Sequence, residues 1–430
     1  MNVIWLAMIV AAVFAALLGS GAGGSMNALS AAMLASAKAA VELALSLVGP
    51  LCLWLGLMRI VERAGLLAAI ARVAQPLLRR LFPSVPPEHP ALGAIVMNFA
   101  ANFLNMDNAA TAFGLRAMRA LKSLSRTPGV ATNAMVLFLA INAAGISAFP
   151  VNVIAARAAL KPDTAGDIML PTLIVSFLSL LTAIGWAKLF ERFSKPPPET
   201  IAPEATAPIQ EEPSVIEAPP LPPARDRWIA AALGVALVAL LVFRVVADVR
   251  GGLAIFSALR VAAGWVLPLL ACAMVIYGYS RGVKVYEAAV EGARQGFEVF
   301  VSIVPFLVII LVAIGMMRAS GVMDALTTLL TPVTEPLGMP AAVLPQALIR
   351  PLSGSAAMGV LVDTLKVYGP DSPDGFISSI IYGSSETTFY VLGVYFGAVG
   401  VRSLRHALAA CLLADLSGML IAVWVARLFL

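Results

Sequence analysis

Three polar runs interrupt apolar stretches of this chain, and each carries groups that can bind a solute. The first is Asn98-Phe-Ala-Ala-Asn102-Phe-Leu-Asn105-Met-Asp107-Asn108-Ala-Ala-Thr111. Each carboxamide offers both a donor and an acceptor. Four of them exceed what capping a helix end needs, although Asp107-Asn108 also reads as an N-cap for a helix starting at Ala109. The second run is Arg350-Pro-Leu-Ser353-Gly-Ser355. Gly and Ser allow close backbone approach, and free N–H groups at the following helix start suit an anion. Arg350 is read either as a carboxylate or phosphate ligand or as a counter-charge to Asp107 or Glu386. The third is Ser384-Ser385-Glu386-Thr387-Thr388, five polar residues inside an apolar span. An acid at that depth is a functional candidate by default, for a cation, a proton or a ligand hydroxyl. Its counterpart, Asn142-Ala-Ala-Gly-Ile-Ser147, has no acid.

No enzyme is expected. There is no GxSxG, HExxH or Walker A pattern, and the serines lack a nearby base. His89 and His406 are the only histidines, and Cys52, Cys272 and Cys411 lie singly in apolar runs, so no metal site, cofactor or disulfide framework is expected. Asp415 and Arg260 are assigned to packing or pairing ahead of ligand contact.

The elements that position these runs are helices in a bilayer. The 430 residues are 60% hydrophobic and 12% charged, with mean hydropathy +0.92. A water-soluble protein carries about 25% charged residues. Spans are expected at 3–18, 40–58, 130–156, 168–190, 228–247, 254–278, 299–317, 376–398 and 404–427. The first is read as retained, with cleavage as the lesser alternative. Segments 91–122 and 340–367 are too long and too interrupted for single spans, and 64–82 and 319–335 read as interfacial helices. The net charge of +5 is assigned to cytoplasmic loops, not to nucleic acid.

Two halves share this pattern. Gly65 and Pro76 recur at one offset as Gly321 and Pro332, and Asn108-Ala-Ala corresponds to Ser355-Ala-Ala. Between the halves, 194–227 holds ten prolines and five glutamates and reads as a tether. The expected units are 1–38 (first helix and loop), 39–193 (first repeat), 194–227 (linker), 228–296 (scaffold helices) and 297–430 (second repeat). Most basic residues fall on one side if 91–122 turns back inside the membrane, which makes the repeat inverted. The fold class expected is therefore an all-α polytopic membrane protein, an inverted repeat with two re-entrant helical hairpins and broken transmembrane helices. Such folds hold their solute near the bilayer midplane.

The same residues resemble a known family. Asn105-Met-Asp-Asn-Ala-Ala-Thr-Ala-Phe-Gly-Leu-Arg-Ala-Met118 is similar to the A type of spore maturation protein. Arg350–Ser355 and Gly383-Ser-Ser-Glu-Thr-Thr-Phe-Tyr-Val-Leu-Gly-Val-Tyr-Phe-Gly397 resemble the B type, here fused in one chain. Both belong to the nucleoside-recognition (Gate) group, which is similar to concentrative nucleoside transporters and to the membrane gate of ferrous iron transporters. The resemblance implies tips at Asn105, Asp107, Asn108 and Thr111 and at Arg350, Ser353 and Ser355, with a broken helix at Ser384–Thr388, around a small polar solute. Ala112 departs from an expected Pro, and Ala143–Ser147 from a more polar stretch.

The functional expectation is an inner-membrane, secondary-type transporter of a small polar or anionic, nucleoside-like solute. Asp107 or Glu386 would couple it to H+ or Na+. The bilayer, the solute, the coupling ion and further copies of the chain are the expected partners. A non-transporting scaffold or sensor, or handling of a lipid-linked substrate, remain open alternatives.

Overall fold

A computed structural model describes residues 2–19, 26–125, 127–194, 223–251 and 265–430. Most of the 194–227 tether, the loop after the first helix, Arg126, Lys195, Arg260 and the first part of the 254–278 span lie outside the described residues, as does the side chain of Asn108. The described chain is helical, with a single isolated bridge between Val130 and Ser403.

The first half follows α1 (Asn2–Leu17) with α2 (Met26–Arg63), α3 (Leu66–Leu81), α4 (Pro90–Phe103), α5 (Asp107–Ser123), α6 (Asn133–Ala143), α7 (Val151–Leu160) and α8 (Met169–Phe193). Next come α9 (Ala224–Arg250) and α10 (Val266–Ser280). The second half is α11 (Val285–Ala319), α12 (Val322–Thr334), α13 (Leu344–Ile349), α14 (Gly354–Tyr368), α15 (Pro373–Gly383), α16 (Thr388–Val399) and α17 (Ala407–Phe429). The order long helix, short amphipathic helix, hairpin, broken helix, long helix thus occurs twice. The apolar runs 130–156 and 376–398 are not continuous rods: each is split, as α6/α7 and α15/α16. Among the described residues, four helices, α2, α8, α11 and α17, are long and apolar enough to cross a membrane.

Local chemistry explains the joints. α2 and α11 both end at a glycine in the left-handed region, Gly65 (φ 80°) and Gly321 (φ 77°), where a side chain would be strained. Thr132, Ser353 and Ser372 cap α6, α14 and α15 with side-chain oxygens. Nδ1 of His89 accepts from Ala91 N and caps α4.

α2 and α11 run antiparallel at close range. Gly56 faces Ala289, Gly296 faces Cys52, and Gly315 faces Ser36; a Cβ at Gly296 would stand 2.8 Å from Cys52 Cα. Small residues at such contacts let backbones approach and gain dispersion energy without burying polar groups. At one end of the pair, Arg59 bonds Glu62 at 2.7 Å, and both Arg59 and Arg63 bond Glu291. α8 and α17 are also antiparallel: Ser179 faces Gly418, Trp186 Nε1 donates to Ser417 Oγ at 3.0 Å, and Arg405, just before α17, donates to Ser194 O at 2.8 Å.

Each half also grips a loop of the other. Arg402 N and Ser403 N, between α16 and α17, donate to Gly129 O between α5 and α6 at 2.8 and 3.0 Å. In the matching place, the α14–α15 loop is held by α7 and the turn after it. The fully buried Arg157 bonds Pro370 O at 2.5 Å and Asp371 at 2.8 Å, and Lys161 and Thr164 add contacts to Asp371 at 2.5 and 2.7 Å. Partial burial raises the Asp371 pKa, but the Lys161 and Thr164 bonds and the Arg157 charge outweigh it and hold the group below its ordinary 3.8. A depressed carboxyl stabilises the fold fully above its unfolded value and loses that contribution as pH falls through the folded value. Acid titration of the melting temperature should therefore steepen below about pH 4. Asp371→Asn should melt lower at neutral pH and lose that steepening, and an unchanged acid limb would count against the assignment.

Candidate functional site

The tip of the first hairpin is the turn Leu104–Met106, made possible by Asn105 in the left-handed region (φ 57°). A short side chain that can bond locally tolerates this conformation better than most. Asn98 is buried and donates to Ala110 O at 2.7 Å, so it ties α4 to α5. Asn102 Nδ2 donates to Asn142 Oδ1 at 2.9 Å, and Asn142 Nδ2 to Phe138 O at 2.8 Å. The polar side chains of the first run thus divide: Asn98 is internal, Asn102 joins hairpin to broken helix, and Asn105 and Asp107 reach open space at the tip.

The two halves repeat one backbone bond. Ala148 N, in the first break, donates to Phe103 O of the first tip at 2.8 Å. Phe389 N, past the second break, donates to Pro351 O of the second tip at 3.0 Å. The breaks also meet each other: Glu386 N donates to Ala143 O at 3.1 Å. Gly145 (φ 60°) makes room for this contact, since a Cβ there would lie 2.6 Å from Ser385 C and 2.9 Å from its Cα. Backbone cannot yield as a side-chain end can. Gly145→Ala is expected to cost about 2 kcal/mol or more from strain and overpacking. Gly185→Ala, in the open face of α8 with nothing within 4 Å, should instead raise stability by up to about 1 kcal/mol. Melting temperatures of the two variants check the opposite signs.

Between the tips and breaks lies a cavity of about 640 Å³. Asn102, Asn105, Asp107, Thr111, Asn142 and Ser147 line it from the first half. Arg350, Ser353, Ser355, Ser385, Glu386 and Thr387 line it from the second. Arg350 is buried by its neighbours. Its guanidinium bonds Ser385 O, Ser385 Oγ at 3.2 Å and Thr387 Oγ1 at 3.2 Å, stands 3.8 Å from Glu386, and lies 4.3 Å over the Tyr382 ring. The cation is thus fixed to the second break by hydrogen bonds and a ring face. The Glu386 side chain is 43% exposed and Asp107 is also open, so both acids face the cavity, with Glu386 Oε1 also accepting from Thr387 N of the break at 3.2 Å.

Other sequence candidates lie off the wall. Ser384 Oγ donates back to Ile380 O at 2.7 Å, and Thr388 Oγ1 donates to Asp415 at 2.7 Å. Sequence reasoning passed over Tyr382, Tyr390 and Tyr395, Asn152, and the α11 face at Ser302 and Phe306, all of which line the cavity. Tyr382 and Tyr390 flank the third polar run, a signal that was present. Among the described residues, no group of three or more His, Cys, Asp or Glu is placed to hold a metal.

The Gate family pattern, described as nucleoside recognition, matches residues 44–161 and 300–402, which contain both tips and both breaks. The chain belongs to the Gate family. Its two Gate matches run from within α2 to just past α7, and from within α11 to the loop before α17, leaving α8 and α17 outside. The chain is 46% identical over 162 residues to spore maturation protein B of Bacillus subtilis (strain 168), covering 38% of this chain and 91% of that protein. It is 37% identical over 183 residues to spore maturation protein A of the same organism, covering 43% of this chain and 91% of that protein. No solved structure matches significantly. With its long apolar helices, this Gate protein is an all-helical membrane protein.

Proposed function

We propose that the chain is a secondary-type transporter of the inner membrane, and that it binds a small, neutral, hydrogen-bonding solute of nucleoside type in the cavity. The observation that carries this reading is one cavity walled by both hairpin tips and both helix breaks. Unwound backbone at membrane depth survives only where it is buried or lines such a space. The antiparallel α2/α11 and α8/α17 pairs, and the reciprocal loop contacts, support two inverted copies, 39–193 and 297–430, with 91–122 and 340–367 as re-entrant hairpins.

Depth follows from helix length. Glu42 and Arg59 bracket the apolar part of α2, and a helix rising 1.5 Å per residue covers about 26 Å between them, close to one hydrocarbon core. The α11 residues that line the cavity, Ser302, Ile303 and Phe306 among them, fall inside the expected span 299–317. Charge narrows the solute. Asp107 and Glu386 face one arginine, which favours polar but uncharged groups over an anion, while Tyr382, Tyr390 and Tyr395 offer ring faces and hydroxyls for a base and a sugar.

The test is uptake of radiolabelled uridine and adenosine into proteoliposomes under imposed H+ and Na+ gradients, with equilibrium binding measured on the same protein. Saturable, gradient-driven flux is expected. Binding without flux under any gradient would replace transport by a sensor or scaffold.

A further inference from the structure

Beyond the cavity wall, α8 and α17 each place a polar side chain against the broken helix of their own half. Ser176 Oγ lies 3.5 Å from Ser147 O. Asp415 Oδ2 accepts from Thr388 Oγ1 at 2.7 Å. The two contacts occupy matching places in the two halves, one neutral and one acidic. Asp415 is 5% exposed, and its Oδ1 has no hydrogen-bond partner. Ser179 Oγ, equally buried and without a partner, packs against Gly418, one helical turn from Asp415. None of the salt bridges among the described residues includes Asp415. A carboxylate buried without a counter-charge is far costlier than a carboxylic acid in the same place.

The surroundings contain few other titratable groups. Cys411 lies one turn earlier on α17. α16 carries Tyr390 and Tyr395, and α15 carries Asp374 and Tyr382. α6 carries none, and those of α8, Lys188, Glu191 and Arg192, sit in its last two turns. Arg350 and Glu386, of the second tip and break, are the charged side chains that act on Asp415 through space.

We propose that Asp415 is a proton-binding site set against the second break. Oδ1 takes one proton from hydronium, leaving water, and returns it to water, with no other bond made or broken. Thr388 Oγ1 stays on Oδ2, so the charge of Asp415 acts directly on the first residue of α16. The inference deepens the transport reading by naming the coupling ion as the proton and placing its carrier outside both Gate matches.

Infrared difference spectra of the whole protein in liposomes, taken between acid and alkaline buffer, test it. Among the protonated-carboxyl stretches that come and go with pH in the native chain, one component is expected from Asp415. It should persist in Glu386→Gln and Asp107→Asn and be lost in Asp415→Asn, an isosteric change that still accepts from Thr388. Native and Asp415→Asn spectra with the same carboxyl components at every pH overturn the proposal. Should Asp415→Asn fail to fold, Thr388→Val removes the donor alone and should move the midpoint of the band; an unmoved midpoint overturns it equally. The spectrum is read on the resting protein, so a chain that moves no solute still passes or fails this test.

Discussion

Glu386→Gln and Asp107→Asn are each expected to lower solute flux in proteoliposomes by about tenfold or more, the scale of one charge-assisted hydrogen bond. Both carboxylates are open to the cavity, and neither is needed to hold the helices together. Glu386 reaches Arg350 only at 3.8 Å, while the guanidinium has closer partners in Ser385 and Thr387. The folded state should therefore survive both changes, and melting temperatures near the native value check that. The two variants should also differ. The amide at 386 keeps the contact with Thr387 N, whereas the amide at 107 removes the only acid that the first half brings to the site among the described residues. Flux unchanged in both would remove Asp107 and Glu386 from coupling and from solute contact.

Arg350→Ala should be the most damaging single change at the site. The guanidinium gathers a backbone carbonyl, two hydroxyls and the Tyr382 ring from the second break onto the second tip. Its removal leaves Ser385 O without this donor and frees the tip to move against the break. Hydrogen bonds to a charged group contribute about 1.5–3 kcal/mol each when lost, and they do not simply add. A loss of about 3 kcal/mol in stability and of at least about 100-fold in affinity for uridine or adenosine is expected. Arg350→Lys should recover part of the stability and little of the affinity, since an ammonium cannot serve three acceptors and stack on a ring at once. Isothermal titration and thermal melts on the same preparations separate the two effects, and equal losses in both variants would point to a purely structural arginine.

Much of the fold can be read from particular residues. Gly65 and Gly321 mark equivalent helix ends because only glycine turns there without strain. Five polar residues at 384–388 announce a break because an apolar span cannot carry them toward acyl chains. Other features have no local signal. Arg157 and Asp371 are far apart in sequence, and nothing near either names the other. Phe306 reads as a lipid-facing residue, because an aromatic in an apolar helix looks the same whether it meets lipid or a cavity. The unwound backbone at 384–387 has no helical period, so which of Ser384, Ser385, Thr387 and Thr388 would face inward was not legible. The structure divides them, Ser385 and Thr387 to the wall and Ser384 and Thr388 away from it.

The reciprocal loops have a consequence for assembly. Each half supplies a clasp to the other, Arg157 of the first on Asp371 and the Arg402 and Ser403 amides of the second on Gly129 O. A half made alone would leave the glycine-lined flank of α2 or α11, and a buried guanidinium or bare carbonyls, without a mate. Cells that make the two halves as separate polypeptides must match their dosage, and an orphan copy would be a target for quality-control proteolysis. A single reading frame removes that imbalance, because every ribosome that finishes the first half goes on to deliver its counterpart.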